Sequence, residues 1–359
     1  MLRDWTGAML HQVFMIEVFS GTATLCAVSK EFGMQSSLAL DKVKKKGARA
    51  TVCVFNLLNP ADRDLLYNWI ESPLLAWVHF APVCGTCSRA RQIPNGGPPP
   101  LRSDDFPMGL PHLKGSERSR VEEANRLYVE TCKLFKHCAL RGILLTMENP
   151  TNSIFWLTDP VVQLFKQFDI SVADCQLFML GGERPKWSRF AANFSAIVEM
   201  TISCDGSHTH KPWGKTRDPQ GTWIFATAEE AQYPRKMCVA LVTCVVRQLQ
   251  RQNIGTLPDT LADMRNLEEF HTQSARISAK IQPKTRKVPP LMPDHSHVAT
   301  FYTFGSQQFS CPLLSKLSSP CTVYTAEAQR AEVPKHSKFL RRTLCATPPS
   351  AIGGTGGRR

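Results

Sequence analysis

Runs of β-forming residues alternate with stretches of helical periodicity through the first half of the chain, and few folds accommodate that order. "QVFMIEVFS" (Gln12–Ser20) is rich in β-formers and closes on Ser-Gly, which predicts a buried strand. "TATLCAVSKEFG" (Thr22–Gly33) places apolar residues at helical spacing before a closing glycine, a helix and its cap. "SSLALD" (Ser36–Asp41) and "ATVCVFN" (Ala50–Asn56) predict two further strands. "NPADRDLLYNWIES" (Asn59–Ser72) predicts a helix with Pro60 in its first turn, and "LLAWVHF" (Leu74–Phe80) a fourth strand. After a Pro- and Gly-rich loop come a long helix from Arg120 to about Leu140 and a fifth strand, "ILLTME" (Ile143–Glu148). A helix is expected over "NSIFWLTDPVVQLFKQF" (Asn152–Phe168), and "MCVALVTCVV" (Met237–Val246) reads as a buried one. The pattern predicts an α/β fold with a mostly parallel sheet and helices on both faces. Such sheets bind ligands beyond the carboxyl ends of their strands. That singles out Ser20, Gly21, Asp41, Asn56, Cys84 and Glu148.

The chain has 359 residues, 43% of them hydrophobic. That supports one core of roughly 200–250 residues plus a tail, or two small domains. Apolar periodicity fades past about Gln250, and from Arg251 onward 15 Lys/Arg face 7 Asp/Glu, a net +8 of the total +13. We therefore expect a domain over residues 10–250 and a basic, largely disordered tail over 251–359. A basic balance suits a polyanionic partner, nucleic acid first and an anionic membrane surface second. No apolar run approaches the ~20 residues that span a bilayer. "MLRDWTGAML" lacks the order of a signal peptide, and thirteen scattered cysteines read as reduced intracellular thiols.

Four short motifs carry chemistry. In "EVFSGTATL" (Glu17–Leu25) a strand enters a Gly turn and then a helix, which lets a ligand approach the backbone and offers amides to an anionic group. A plain strand-to-helix turn would look the same. Asp41, about twenty residues on, can accept hydrogen bonds from a ribose diol. "APVC" (Ala81–Cys84) ends the fourth strand and "MENP" (Met147–Pro150) the fifth, so a thiol and a carboxylate can face one cleft. "GGERPKWSRF" (Gly181–Phe190) follows with two arginines.

In this order the motifs resemble those of the cytosine-5 DNA methyltransferases, over roughly Val13 to Leu249. The resemblance implies a Rossmann-like, S-adenosylmethionine-dependent methyltransferase fold and methyl transfer to C5 of a cytosine flipped out of double-stranded DNA. It implies Cys84 as the nucleophile toward C6 and Glu148 as the group that holds the base at N3. Phe19, Ser20, Gly21, Thr22, Asp41, Asn56 and Pro82 would line the cofactor. Arg184 and Arg189 would serve the catalytic site, and with Arg89 and Arg91 hold phosphates or the nucleophile loop. Residues of about 195–226 would form a short recognition segment. Genomic DNA as substrate would place the protein in the nucleus.

The sequence departs from the family pattern in places. Val83 replaces a second proline, which loosens the loop, and Gly85 replaces a glutamine near the flipped base. Ala23 stands for a second glycine, Asn56 for an acid and Pro150 for a valine. A divergent branch, such as one carried by a mobile element, fits this pattern, and so does a decayed enzyme. Two rival functions follow: a nucleic-acid-binding protein that keeps the fold without catalysis, and a methyltransferase acting on RNA or another substrate.

Cysteine and histidine spacing raises a separate question. Cys84 and Cys87 have zinc-like C-x-x-C spacing, and "CDGSHTH" offers Cys204, His208 and His210 as zinc ligands, with Cys175 as a further donor. A polar loop with solvated histidines is the alternative. A thioredoxin-like use of Cys84 and Cys87 would need the pair at a helix start early in the fold. Cys132, His137 and Cys138 read as core thiols and a surface histidine on one helix, the tryptophans as packing, and Lys42–Lys46 as a solvated helix face.

Overall fold

The computed structural model describes residues 3–93, 97–217 and 223–255. From residue 256 on, the expected tail lies outside the described residues.

Seven strands form the central sheet: β1 (Phe14–Val18), β2 (Leu38–Asp41), β3 (Val52–Val54), β4 (Leu75–Phe80), β5 (Leu144–Pro150), β6 (Ser171–Gln176) and β7 (Trp187–Ala192). Their order is β3-β2-β1-β4-β5-β7-β6. All neighbouring pairs from β3 to β5 are parallel, and β7 runs antiparallel to both β5 and β6. This is the doubly wound order, with its switch between β1 and β4, plus one inserted antiparallel strand.

Alternation along the strands divides the core between two faces. On one face Met15, Trp77 and Leu144 pack under α1 (Thr24–Glu31) and α6 (Arg235–Gln250). On the other, Ile16, Val18, Val78, Phe80, Leu145 and Met147 pack under α2 (Pro60–Ile70), α3 (Gly115–Leu140) and α4 (Asp159–Gln167). Burying each such side chain contributes about 1.5–3 kcal/mol. The α6 helix is apolar nearly all round because it lies between the sheet, α1 and the 3-10 turn Ser195–Met200. A short helix, α5 (Ala226–Glu229), follows a small hairpin of β8 (Lys215–Arg217) and β9 (Trp223–Phe225).

Local chemistry sets several boundaries. The Asn59 side chain accepts from the Ala61 amide and caps α2, with Pro60 in the first turn. At the end of β1, Phe19, Gly21 and Ala23 all adopt positive φ. Gly21 does so freely, whereas Ala23 bears the cost of its Cβ in the left-handed region.

The expected helix over 152–168 is in fact a 3-10 turn, Ile154–Leu157, followed by α4. Continuing one helix would drive the Pro160 ring into the Trp156 carbonyl, and Thr158 instead takes an extended conformation. The α3 helix starts at Gly115, five residues before the expected Arg120. Lys42–Lys46 form an exposed loop rather than a helix face, and four like charges in five residues disfavour a helix there. Packed chain also extends beyond residues 10–250, since Trp5 is buried and the Met9 and Gly255 backbones bridge.

Candidate active site

The β4 strand delivers the segment that carries both thiols of the C-x-x-C pair, and the structure gives them different surroundings. Cys84 is exposed, whereas Cys87 is fully buried. Cys87 Sγ lies 3.2 Å from the Tyr128 hydroxyl, which donates to the Val83 carbonyl at 2.7 Å. Cys87 therefore anchors the loop while Cys84 faces out of it. Although solvent reaches Cys84, crowding at the cleft raises its thiol pKa above the ordinary value; the Glu148 charge adds to this and Lys186 opposes it. The ten described cysteines are all free thiols.

Further bonds fix the loop. Asn149 donates to the Pro82 carbonyl at 2.9 Å, tying the end of β5 to the residues before Cys84. Arg91 donates to the Gly85 carbonyl at 2.8 Å. Arg102 is almost fully buried and donates to Thr86 Oγ1, the Asn125 side chain and the Pro107 and Val121 carbonyls. Neither Arg102 nor its role carried a signal in the Pro-rich stretch around it.

Glu148 sits in β5 and is buried. Its Oε2 accepts from the Tyr233 hydroxyl at 3.0 Å. That hydroxyl is 3.1 Å from His79 Nε2, and His79 Nδ1 is 2.8 Å from Thr146 Oγ1, which also accepts from Trp77 Nε1 at 2.8 Å. Burial pulls the His79 pKa down to about 3, so its ring is neutral. Because the single Tyr233 proton goes to Glu148, His79 Nε2 must carry the ring proton and Thr146 must donate to Nδ1. The result is a one-way row of donors from Trp77 to Glu148. The sequence reading missed Tyr233 and His79, since a tyrosine before a proline and a histidine inside an apolar strand carry no signature.

Buried polar atoms without a protein partner also occur along the pairing of β5 with β7. Glu148 Oε1 and Asn149 Oδ1 on β5, with Ser188 Oγ and Arg189 Nη1 on β7, are all of this kind. The two strands pair here, Asn149 opposite Arg189 and Pro150 opposite Ser188. Each such atom costs about 1–3 kcal/mol unless something bonds it.

A cavity of about 430 Å³ opens beyond the carboxyl ends of β1 to β4. Phe19, Asp41 and Asn56 line it, with Leu57, Ala81 and Val83. Asp41 accepts from the Gly21 amide through Oδ2 (2.8 Å) and from the Val43 amide through Oδ1 (3.1 Å), leaving each oxygen a second lone pair. Asn56 Oδ1 accepts from the Leu58 amide. Ser20, Gly21, Thr22 and Pro82 are not among the residues that line it; Ser20 Oγ is buried without a partner.

The four arginines singled out in the sequence are engaged by the protein itself. Arg89 pairs with Asp104 and donates to the Asn152 carbonyl, and Arg91 braces Gly85 and Pro99. Arg184 is fully buried, pairs with Glu230 at 3.1 Å and donates to the Pro212 carbonyl. Arg189 makes a two-point contact with Asp174, at 2.7 and 2.6 Å. Arg91 thus ties the residue after Cys84 to the Pro-rich stretch, and Arg89 ties its own segment to the turn after β5. Phosphate contact does not suit the buried pair, Arg184 and Arg189. Cys204, His208 and His210 come together on one loop, apart from Cys84 and Cys87. Cys132 and Cys138 are buried on α3, and His137 bonds Glu71 at the surface.

The fold is a Rossmann-like, mostly parallel α/β sheet whose carboxyl edge holds a cavity, a thiol and a carboxylate. No family model and no curated protein matches the chain. Among solved structures, Entamoeba histolytica methyltransferase EhMeth aligns at 15% identity and TM-score 0.30, over 51% of this chain and 53% of that one. A Spodoptera frugiperda DNMT2 mutant aligns at 13% identity and TM-score 0.29, over 50% of each chain. The S. pombe Dnmt2 methyltransferase aligns at 9% identity and TM-score 0.31, over 61% and 64%. The chain thus spans about half to under two thirds of the length of these neighbours, and at such scores they establish neither family nor activity. No helix among the described residues is long and apolar enough to cross a membrane.

Proposed function

We propose that this protein transfers a methyl group from S-adenosylmethionine to C5 of cytosine in DNA through a covalent adduct at Cys84. The observation that carries this reading is the pairing of an exposed thiol with a buried carboxylate whose second oxygen has no protein partner. Their loops are joined by the Asn149–Pro82 hydrogen bond. The cavity adjoins them through Ala81, Val83 and Gly85.

The cavity residues fit the cofactor's chemistry. Asp41 has lone pairs for a ribose diol, Phe19, Phe55 and Leu57 offer apolar walls to an adenine ring, and Asn56 offers an amide. Ser20, Gly21 and Thr22 form the turn after β1, and Pro82 belongs to the loop after β4. When bound, S-adenosylmethionine supplies the electrophilic methyl group.

The target base must leave the duplex stack to reach Cys84. Cys84 as thiolate adds to C6, which makes C5 nucleophilic; loss of the C5 proton later releases the thiolate. Glu148 keeps Oε2 on Tyr233 and offers Oε1 to N3 of the base. The proton that the Cys84 thiol gives up balances the addition at N3, where Glu148 Oε1 shares it, and it is released again when the thiolate leaves. Arg189 positions β7 against β6 through Asp174, and Arg184 positions the segment after Cys204. The basic balance of +13 suits the DNA backbone.

Trapping on DNA containing 5-fluorocytosine, with S-adenosylmethionine present, tests this. The base blocks the last elimination, so a working enzyme stays attached. We expect a denaturation-resistant adduct that Cys84→Ala abolishes and Cys87→Ala retains. An adduct formed only on RNA would reassign the substrate. Cofactor binding without any adduct would overturn the assignment in favour of a non-catalytic nucleic-acid binder.

A further inference from the structure

The segment between the 3-10 turn Ser195–Met200 and the β8–β9 hairpin gathers three soft donors at one point. Cys204 Sγ lies 3.1 Å from His208 Nε2, which lies 3.2 Å from His210 Nε2. The three donor atoms fall within 4.8 Å of one another. An imidazole nitrogen has a single in-plane site, either a proton or a lone pair, so His208 Nε2 cannot satisfy both neighbours with ordinary hydrogen bonds. Zinc takes donors of these types in tetrahedral sites. Bonds of about 2.0–2.3 Å place its nitrogen and sulfur ligands roughly 3.3–3.6 Å apart.

The surroundings are those of a ligand set held in place. The Gly206 amide donates to Cys204 Sγ at 3.2 Å, which fixes the sulfur in place. The Cys204 amide donates to Oε1 of buried Gln176 at 2.7 Å. The Asp205 carboxylate lies 3.8 Å from His208 Nδ1 and is itself fixed by the Ser207 amide and hydroxyl. A carboxylate behind a ligating histidine orients the ring. Phe178 stacks on His208 at 4.2 Å and meets His210 edge-on at 4.6 Å.

We propose that Cys204, His208 and His210 bind one Zn²⁺ ion, with a water in the fourth position, and that the ion fixes the segment leading to β8. The residues immediately after the site are the ones that dock onto the domain. The Lys211 amide donates to the Glu183 carbonyl, and the Pro212 carbonyl accepts from buried Arg184. Trp213 lies against the Arg184 guanidinium. Cys87 and Cys175 belong to other environments, the Tyr128 contact and the interior of β6. The proposal does not depend on methyl transfer.

The full-length protein, stripped with a chelator and titrated with ZnCl₂ or CoCl₂, provides the test. Metal analysis should give one zinc per chain, and cobalt should give a tetrahedral spectrum with thiolate charge transfer. Cys204→Ser should remove the charge-transfer band and His208→Ala should weaken binding at least tenfold. Asp205→Asn, on the surface, should weaken it about tenfold without altering the circular dichroism. Cys53→Ser should leave binding unchanged. Substoichiometric zinc in the wild type, or equal binding by the Cys204→Ser/His208→Ala double variant, would overturn the site.

Discussion

Glu148 owes its orientation to Tyr233, a residue 85 positions away that approaches from the start of α6. Replacing Tyr233 with Phe keeps the ring and removes the hydroxyl. Glu148 Oε2 and His79 Nε2 then lose their common partner, and one such hydrogen bond is worth about 1–1.5 kcal/mol. On the proposed function, adduct formation at Cys84 should slow about tenfold, with cofactor affinity unchanged and the pH–rate profile displaced. An unchanged profile would mean that Tyr233 only fills space. The sequence marks Asp41 and Glu148 at strand ends and Cys84 on the loop after β4, and the structure places them there. Which cysteine of the pair is exposed was not legible; the Tyr128 contact on α3 buries Cys87 and leaves Cys84 outside.

At the scale of elements, the long connection from β4 to α3 is held from within by Arg102. Its guanidinium meets two side chains and two backbone carbonyls and lies over the Tyr128 ring. No carboxylate pairs with it among the described residues, so its stability contribution rests on those bonds. Arg102→Ala would leave several buried acceptors unpaired, at about 1–3 kcal/mol each. Urea unfolding should show a loss on the order of 3 kcal/mol, and limited proteolysis should cut the connection faster. A variant with unaltered unfolding and proteolysis would sink this account. Periodicity revealed β1 to β5, α2 and α6, since each buries one face or the whole of a regular element. It did not reveal the break before α4, where one proline decides, nor the place of β7, where neighbouring strands decide.

For the whole molecule, two buried titratable groups set opposite pH limits. Burial, with a smaller contribution from Asp41, raises the Glu17 pKa to about 8, against the Cys26 amide that donates to its Oε2. Folded Glu17 therefore keeps a proton that the unfolded chain releases above about 4.5, and stability falls as pH rises from there to about 8. His79 behaves in the opposite sense: folded, it refuses a proton until about pH 3, whereas the unfolded chain takes one below 6.5. Its contribution is complete above 6.5 and is lost as pH falls toward 3. The two slopes cancel between about 4.5 and 6.5, so thermal stability should show a plateau there and decline on both sides. Glu17→Gln, which can still accept from the Cys26 amide, should flatten the alkaline arm alone. Persistence of that arm in the variant would assign it elsewhere.

The sequence by itself determined the alternation of strands and helices, because hydrophobic period is a local property of the chain. It also determined the residues at the carboxyl ends of β1, β2, β4 and β5, since ends of elements are marked by glycine, proline and polar residues. Tertiary structure decided the rest. It inserted β7 antiparallel between β5 and β6, turned Arg184 and Arg189 inward onto Glu230 and Asp174, and aligned Trp77, Thr146, His79 and Tyr233 on Glu148. The physical reason is that hydrogen bonds and ion pairs between distant residues depend on which faces the packed core brings together, and no local pattern encodes that meeting.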